Sequence, residues 1–216
     1  MDISLTSCSL FEDIDKADIS SLLECLGAYS CLYKKSEFVF RVDEEATLVG
    51  LVISGSVNVI QEDYWGNRTI LSHFGPGKIF GEAYSCVGAQ RYPVSVIAAE
   101  DSETLMLDYR KIITTCHNSC AFHNSLIANM LSILASNNIA LTKKLEHVSR
   151  RTLREKLLSF LSFEAIRSGN NTVTIPFNRQ ELAEFLCVDR SALSRELGSM
   201  KKAGLIDYRK NRFTLL

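Results

Sequence analysis

The strongest constraint on this chain is a stripe of residues spaced alternately by four and three. Ile127, Leu131, Leu134, Asn138, Leu141, Leu145 and Val148 are separated by 4, 3, 4, 3, 4 and 3 positions. On a helix they share one face, and a pattern held this long is the a/d seam of a coiled coil. The helical texture runs from about Asp108 to Ser149, which at 1.5 Å per residue is roughly 60 Å. A helix that long is hard to cover within a chain of 216 residues. The seam therefore predicts a homodimer built on Ile127, Leu131, Leu134, Asn138, Leu141 and Leu145. The competing reading is a long helix packed on its own sheet. Asn138 falls on the seam, where a polar residue fixes register at some cost in stability.

The seam also divides the chain by charge. Residues 1–142 carry 9 Lys+Arg against 17 Asp+Glu, a net of −8, and residues 143–216 carry 15 against 8, a net of +7. An acidic front on a basic back predicts two domains with different partners. There is no basic stretch followed by an apolar run at the N-terminus, and no uninterrupted apolar run reaches 18 residues, so neither a signal peptide nor a membrane span is expected. Seven scattered cysteines, an odd number, indicate a reducing compartment, and the expected location is the cytoplasm.

Before the seam, short apolar runs are punctuated by glycine, and eight of the eleven glycines precede residue 100. Strands are expected at Phe38–Phe40, Leu48–Ile53, Ser56–Gln61, Arg68–Phe74, Val94–Ala98 and Thr104–Leu107. Val57 and Val59, alternating with Ser56 and Asn58, predict a half-buried strand. The sum is a sandwich or barrel-like roll. A short helix from Asp15 or Asp18, ended by Gly27, precedes it. Tyr64-Trp65-Gly66-Asn67 predicts a hairpin turn with exposed aromatic residues.

After the seam, Arg150–Ile166 reads as a helix with Leu153, Leu157, Phe160, Leu161 and Glu164 to Ile166 on its apolar side, and Thr172–Ile175 as a short strand. Asn178 with Glu181 forms a capping box, and Phe177 with Leu182 a hydrophobic staple. Asp189 caps a second helix, with Leu193, Leu197 and Met200 as its buried stripe and Gly204 just past its end. Two short helices with a tight turn are the helix-turn-helix signature. The second helix exposes Arg190, Ser191, Ser194 and Arg195, side chains suited to base edges and phosphates of double-stranded DNA. Leu205–Leu215 predicts a hairpin turning near Asn211, a wing whose tip carries Arg209, Lys210 and Arg212.

Asn178-Arg179-Gln180-Glu181-Leu182-Ala183, Val188-Asp189-Arg190-Ser191-Ala192-Leu193-Ser194-Arg195-Glu196-Leu197 and Lys202-Ala203-Gly204-Leu205-Ile206 resemble the bacterial cyclic-AMP-receptor/FNR-type (Crp/Fnr) regulators. So do Gly50, Ile53-Ser54-Gly55-Ser56-Val57 and Gly75-Pro76-Gly77-Lys78-Ile79-Phe80-Gly81-Glu82, in the same order along the chain. The resemblance implies an α+β fold: an N-terminal double-stranded β-roll over residues 1–115, a dimerisation helix over 116–149 and a winged helix-turn-helix over 150–216. It implies a homodimer on a palindromic site, RNA polymerase as a partner and a small-molecule effector. Arg179, by this resemblance, is a phosphate contact, and Ser194 and Arg195 match the residues by which FNR-type members contact the site. Ser191 stands where the family often has a cytosine-reading glutamate, so a non-standard operator is expected.

The effector pocket implied by the resemblance comprises Gly81, Glu82, Arg91 and Tyr92. Cyclic-AMP binders pair the cyclic phosphate with an arginine at the position held here by Tyr92. Arg91 is one residue early, and in extended backbone that slip reverses the side chain. The expectation is therefore against cyclic AMP and for a different small effector or none. Cys8, Cys25 and Cys31, separated by 16 and 5 residues, lack the compact spacing of an Fe–S site. Cys116, Cys120 and His123 are weak candidates for zinc or haem, and packing is the favoured reading for them. Cys86 and Cys187 are read as small buried hydrophobes. The sequence contains no HExxH, CxxC, GxSxG or P-loop motif, so no enzyme is expected.

Overall fold

The computed structural model describes residues 8–88, 90–113 and 121–216, except the side chains of Lys16, Ala121 and His123. A short 3-10 turn (Ser9–Phe11) and helix α1 (Lys16–Leu26) lead into strands β1 (Tyr29–Tyr33), β2 (Phe38–Phe40), β3 (Leu48–Ser54), β4 (Val57–Glu62), β5 (Arg68–Phe74) and β6 (Ile79–Phe80). Helix α2 (Glu82–Cys86), strands β7 (Ser95–Ala98) and β8 (Ser102–Asp108), and helices α3 (Tyr109–Ile113) and α4 (Ala121–Val148) follow. The chain ends with α5 (Leu153–Ser168), β9 (Thr172–Thr174), α6 (Arg179–Leu186), α7 (Arg190–Lys202), β10 (Ile206–Arg209) and β11 (Arg212–Leu215). It divides into two compact units, Met1–Asn67 with Leu71–Asn138 and Arg68–Ile70 with Ile139–Leu216. The division falls within α4.

Two four-stranded sheets, ordered β1-β8-β3-β6 and β2-β7-β4-β5, make the roll. Alternation along β3 explains its continuous apolar run. Val49 and Leu51 join a core with α1 residues Ile19, Leu22 and Leu26 and α4 residues Leu126, Met130 and Ile133. Val52 belongs to a separate core with Phe40, Val57, Val59, Phe80, Tyr92 and Met106. A strand buried on both faces loses the alternating signature. For the same reason β4 differs from the half-buried strand expected of it. Ser56 and Asn58 are buried as well, and each is satisfied: Ser56 Oγ donates to Glu100 at 2.8 Å, and Asn58 Oδ1 lies 2.8 Å from His73 Nδ1. Strands β1 and β6, both at sheet edges, were not foreseen.

Helix α4 carries two apolar faces. Leu126, Met130 and Ile133 are buried. Leu131, Leu141 and Leu145 are 63%, 49% and 64% exposed, with Ile127 and Leu134 half-buried and Asn138 exposed. Its 28 residues make about 42 Å of helix. The stretch Asn124–Val148 reaches the length and mean hydropathy, 1.2, of a membrane-crossing helix. No apolar run in this stretch is unbroken, because Asn129, Ser132, Ser136, Asn137 and Asn138 interrupt it.

The second unit follows its caps. Helix α5 begins at Leu153, capped by Thr152, rather than at Arg150, because Thr152 and Glu155 form a reciprocal capping box. Ile166, expected on the apolar side, is exposed, and the buried side is Leu157, Phe160 and Leu161. Asn178 accepts from the backbone of Gln180 and Glu181, and Glu181 accepts from Asn178 N, as the sequence predicts. Asp189 accepts from Ala192 N at 2.8 Å. The turn between α6 and α7 is made by Cys187 in the left-handed region (φ 54°), a conformation glycine usually supplies. That places the Cys187 side chain outside: it is exposed, and Cys86 is half-buried, so neither is the buried hydrophobe expected.

Gly50 offers a test of the roll core. A Cβ there would lie 2.0 Å from Cζ of Phe80, whereas a Cβ on Gly75 would meet nothing within 4 Å. Gly50→Ala is expected to destabilise the roll by about 1–3 kcal/mol through overpacking, and Gly75→Ala to stay within about 0.5 kcal/mol. Calorimetric unfolding of the two variants measures the difference.

Candidate nucleic-acid interface and sensor roll

The reader is assembled around α7. Leu193, Leu197 and Met200 are fully buried and fix which face turns outward. The outward face presents Arg190, Ser191, Ser194 and Arg195, all exposed. Two local bonds hold the hydroxyls: Ser191 Oγ donates to Asp189 Oδ1 at 2.6 Å, and Ser194 Oγ to Arg190 O at 3.0 Å. The Ser191 hydroxyl, with the Ala192 N–H, keeps the Asp189 carboxyl below its ordinary pKa. The cap therefore stays ionised, which suits a helix N-terminus.

Helix α7 is tied to α5 through Arg154, whose Nε donates to Glu196 at 2.6 Å and whose other nitrogen donates to Ser199 at 3.1 Å. This anchor sits on the flank of α7 and was not visible in the sequence, because the partners are 42 and 45 residues apart. The wing pairs β10 with β11, and β11 with β9. Its two-residue turn has Lys210 at φ 54°. Asn211 locks it inward, donating to Ile175 O at 3.0 Å and accepting from Ile175 N at 3.0 Å. Arg209, Lys210 and Arg212 are exposed around this turn.

Arg179 stands apart from the other cations. Its guanidinium lies 4.8 Å from the ring centre of Tyr208 and 5.0 Å from that of Phe213. Burial lowers its pKa. The side chain cements α6 to the wing by cation–π packing, a role the sequence pattern does not reveal.

In the roll, Gly81, Glu82 and Tyr92 come together and Arg91 does not. Gly81 has φ 84° and leads into α2. Tyr92 N donates to Glu44 O at 2.9 Å, Asp43 N to Tyr92 O at 2.9 Å and Ala46 N to Gln90 O at 3.3 Å. This pairing turns Tyr92 inward, 1% exposed. It turns Arg91 outward, where its guanidinium donates to Asp43 O. Glu82 is 4% exposed. Burial raises its carboxyl pKa, opposed by the Asn137 amide and by the N–H groups of Glu82 and Ala83. Asn137 was missed in the sequence. It shares the buried face of Met130 and Ile133, and a polar residue on such a face is itself a signal.

These residues lack the inward arginine expected of a cyclic-AMP site. The phosphate of a cyclic nucleotide carries a charge that a buried site must pair with a cation. The inward position at 92 is a tyrosine stacked on Phe40, with ring centres 4.7 Å apart. Among the described residues no group of three or more metal-binding side chains is present. The candidates Cys116 and Cys120 lie outside the described residues, as does the His123 side chain. Cys8 is buried, Cys25 exposed and Cys31 half-buried.

A family model for the cyclic nucleotide-binding domain matches residues 31–119, and one for the Crp-like helix-turn-helix domain matches residues 155–216. The anaerobic regulatory protein of Bacillus subtilis strain 168 is 24% identical over 195 residues, 90% of this chain and 82% of that protein. The CRP-like protein Clp of Xanthomonas oryzae pv. oryzae strain PXO99A is 26% identical over 186 residues, 79% of this chain and 76% of its own. Among solved structures, the c-di-GMP responsive global regulator CLP of Xanthomonas campestris superposes with a TM-score of 0.76 at 20% identity, covering 93% of this chain and 99% of that one. FixK2 from Bradyrhizobium japonicum does so with a TM-score of 0.69 at 18% identity, covering 87% and 92%. With a nucleotide-binding-type roll, a long helix and a Crp-type reader following in that order, the chain belongs to the Crp/Fnr family and is a sequence-specific DNA-binding transcriptional regulator.

Proposed function

We propose that the protein acts in the cytoplasm as a homodimer, joined along the outer face of α4, on a two-fold symmetric duplex site, and that it regulates transcription through contact with RNA polymerase. The observation that carries the reading is the combination on α7 of a fully buried stripe with an exposed Arg190, Ser191, Ser194 and Arg195 face. In the major groove an arginine bridges guanine O6 and N7, and serine reaches a base or a phosphate. Lys210 and Arg212 on the wing take flanking phosphates, which position the protein without reading sequence. Two copies related by a two-fold axis read half-sites about one helical turn apart, or a multiple of it. Control passes through an effector or signal other than cyclic AMP, and neither an Fe–S cluster nor haem is invoked.

The apolar outer face of α4 favours a protein seam over lipid. Asn138 interrupts it, and Lys143 and Glu146, paired at 3.0 Å, flank its C-terminal end. Leu131→Asp with Leu145→Asp leaves the buried face untouched. The pair is expected to give folded monomers by light scattering with operator binding lost. A persistent dimer would refute the seam, and recovery of the native protein in the membrane fraction would favour lipid.

Selection from random-sequence duplexes is expected to return an inverted repeat. Failure to enrich any sequence would refute specific reading. On that site Arg195→Ala is expected to weaken specific binding by about ten- to a hundredfold and to relax preference at one base position. Lys210→Ala and Arg212→Ala are expected to weaken specific and non-specific binding alike and to make the salt dependence shallower. Equal loss of both binding modes in Arg195→Ala would reduce that residue to a phosphate contact.

A further inference from the structure

The roll closes on its own side chains, and the closure is linked to α4. The Tyr92 hydroxyl donates to Leu48 O at 2.6 Å and lies 3.4 Å from Ser85 Oγ. Ser85 Oγ also donates to Leu48 O, at 2.9 Å. Tyr84 meets the Tyr92 ring edge-on at 6.3 Å. Tyr84 and Ser85 belong to α2, the five-residue helix that begins with Glu82. Glu82 Oε1 accepts from Asn137 Nδ2 at 2.8 Å, and Asn137 is on α4. A contiguous path therefore runs from the Tyr92 ring through α2 to the helix that continues into the DNA-binding unit.

Each step of this path resists slack. Tyr92, Glu82 and Ser85 are all nearly inaccessible to solvent. A buried polar group stripped of its partner costs more than the bond contributes when made. Tyr92 touches Tyr84 and Ser85, and Glu82 begins the same five-residue helix. Glu82 cannot leave Asn137 without giving up this side-chain bond to its buried carboxyl, with the N–H groups of Glu82 and Ala83 left to hold it. A cyclic nucleotide monophosphate entering here would have to displace a ring stacked on Phe40, with Arg91 facing away.

We propose that the roll excludes cyclic nucleotide monophosphates, that Tyr92 is its built-in occupant, and that the Glu82–Asn137 hydrogen bond is the link by which the packing of this occupant sets α4. Tyr92 is thus a specificity-determining residue, and Glu82 and Asn137 are positioning residues.

Three measurements test this. Calorimetric titration of the native protein with cyclic AMP and with cyclic GMP is expected to show no saturable heat, and saturable binding of either would overturn the exclusion. Tyr92→Gly opens a ring-sized hole. Amide hydrogen exchange in α4 around residues 133–138 is expected to quicken by about tenfold and to slow again when p-cresol fills the hole. In Tyr92→Gly with Asn137→Ala, p-cresol is expected to leave α4 exchange unchanged, and a response that survives loss of Asn137 would refute the link. Should Tyr92→Gly not fold, a cycle of Glu82→Ala and Asn137→Ala carries the test. Each single change is expected to alter α4 exchange and the affinity for the selected duplex by about tenfold, and the double change to add nothing. Additive effects, or unaltered exchange in both, would overturn the proposal. The duplex readout rests on the DNA-reader assignment, whereas the titration and the exchange do not, so failure of either reading is told apart from failure of the other.

Discussion

Everything in this protein hangs on a helix that has more apolar surface than one chain buries. Helix α4 gives Leu126, Met130 and Ile133 to the core it shares with α1 and β3, and still exposes Leu131, Leu141 and Leu145. The inner stripe makes the helix part of the roll's unit, and the outer stripe leaves work for a partner. At roughly 25 cal/mol per Å² of apolar surface removed from water, three leucines and their neighbours on each of two helices supply a substantial drive to associate. The same helix bears Asn137 on one face and Asn138 on the next. The first satisfies a buried carboxylate, and the second sits where a coiled-coil seam tolerates one polar residue for register.

The DNA-reading end is organised differently, by directed polar contacts at helix ends. Three helices start with side-chain caps, at Thr152, Asn178 and Asp189, two of them as full capping boxes. Short helices are marginal alone, so caps and the shared core of Leu182, Leu186, Leu193 and Leu197 together fix their ends. This matters for recognition because Arg190 and Ser191 occupy the first turn of α7, where fraying would blur any contact. Arg154 braces the helix from behind through Glu196 and Ser199, and Arg179 fills the joint with the wing. Two of the basic residues thus build the platform, while Arg190, Arg195, Lys210 and Arg212 remain outside it.

Local features were legible from the sequence, and features formed by distant pairing were not. The caps at Asn178 and Asp189, the left-handed ends at Gly27 and Gly204, and the limits of β5 follow from neighbours within four or five positions. Strand β1 was missed because Tyr29–Tyr33 sits at a sheet edge without clear alternation. The burial of Ser56 and Asn58 was missed because it depends on Ser102, Glu100 and His73, brought close by the roll. Cys187 was misplaced because its composition suggests a core while its backbone, forced into the left-handed region by the turn, carries the side chain out. Arg179 was read by position alone, and the rings that claim it lie 29 and 34 residues away.

The chemistry of the roll turns on a single residue of register. Residues 90–92 are extended and pair with 43–46 through hydrogen bonds at Tyr92 N, Tyr92 O and Gln90 O, with an isolated bridge between Glu45 and Arg91. In extended backbone, neighbours point to opposite faces. Given Tyr92 inside, Arg91 must be outside, and bringing it in would break the whole set of backbone bonds. The register is stabilised further by what each side chain finds: Tyr92 reaches Leu48 O and the face of Phe40, and Arg91 reaches Asp43 O. A substitution that merely supplied an arginine at 92 would meet Phe40, Tyr84 and the Leu48 carbonyl, surroundings shaped for a flat neutral ring, though with Glu82 nearby as a counter-charge. Restoring an anion site would thus require replacing the aromatic wall along with the residue. The fold of a nucleotide-binding roll and the capacity to hold a nucleotide are separable, and here the side chains that keep the first have taken the space needed for the second.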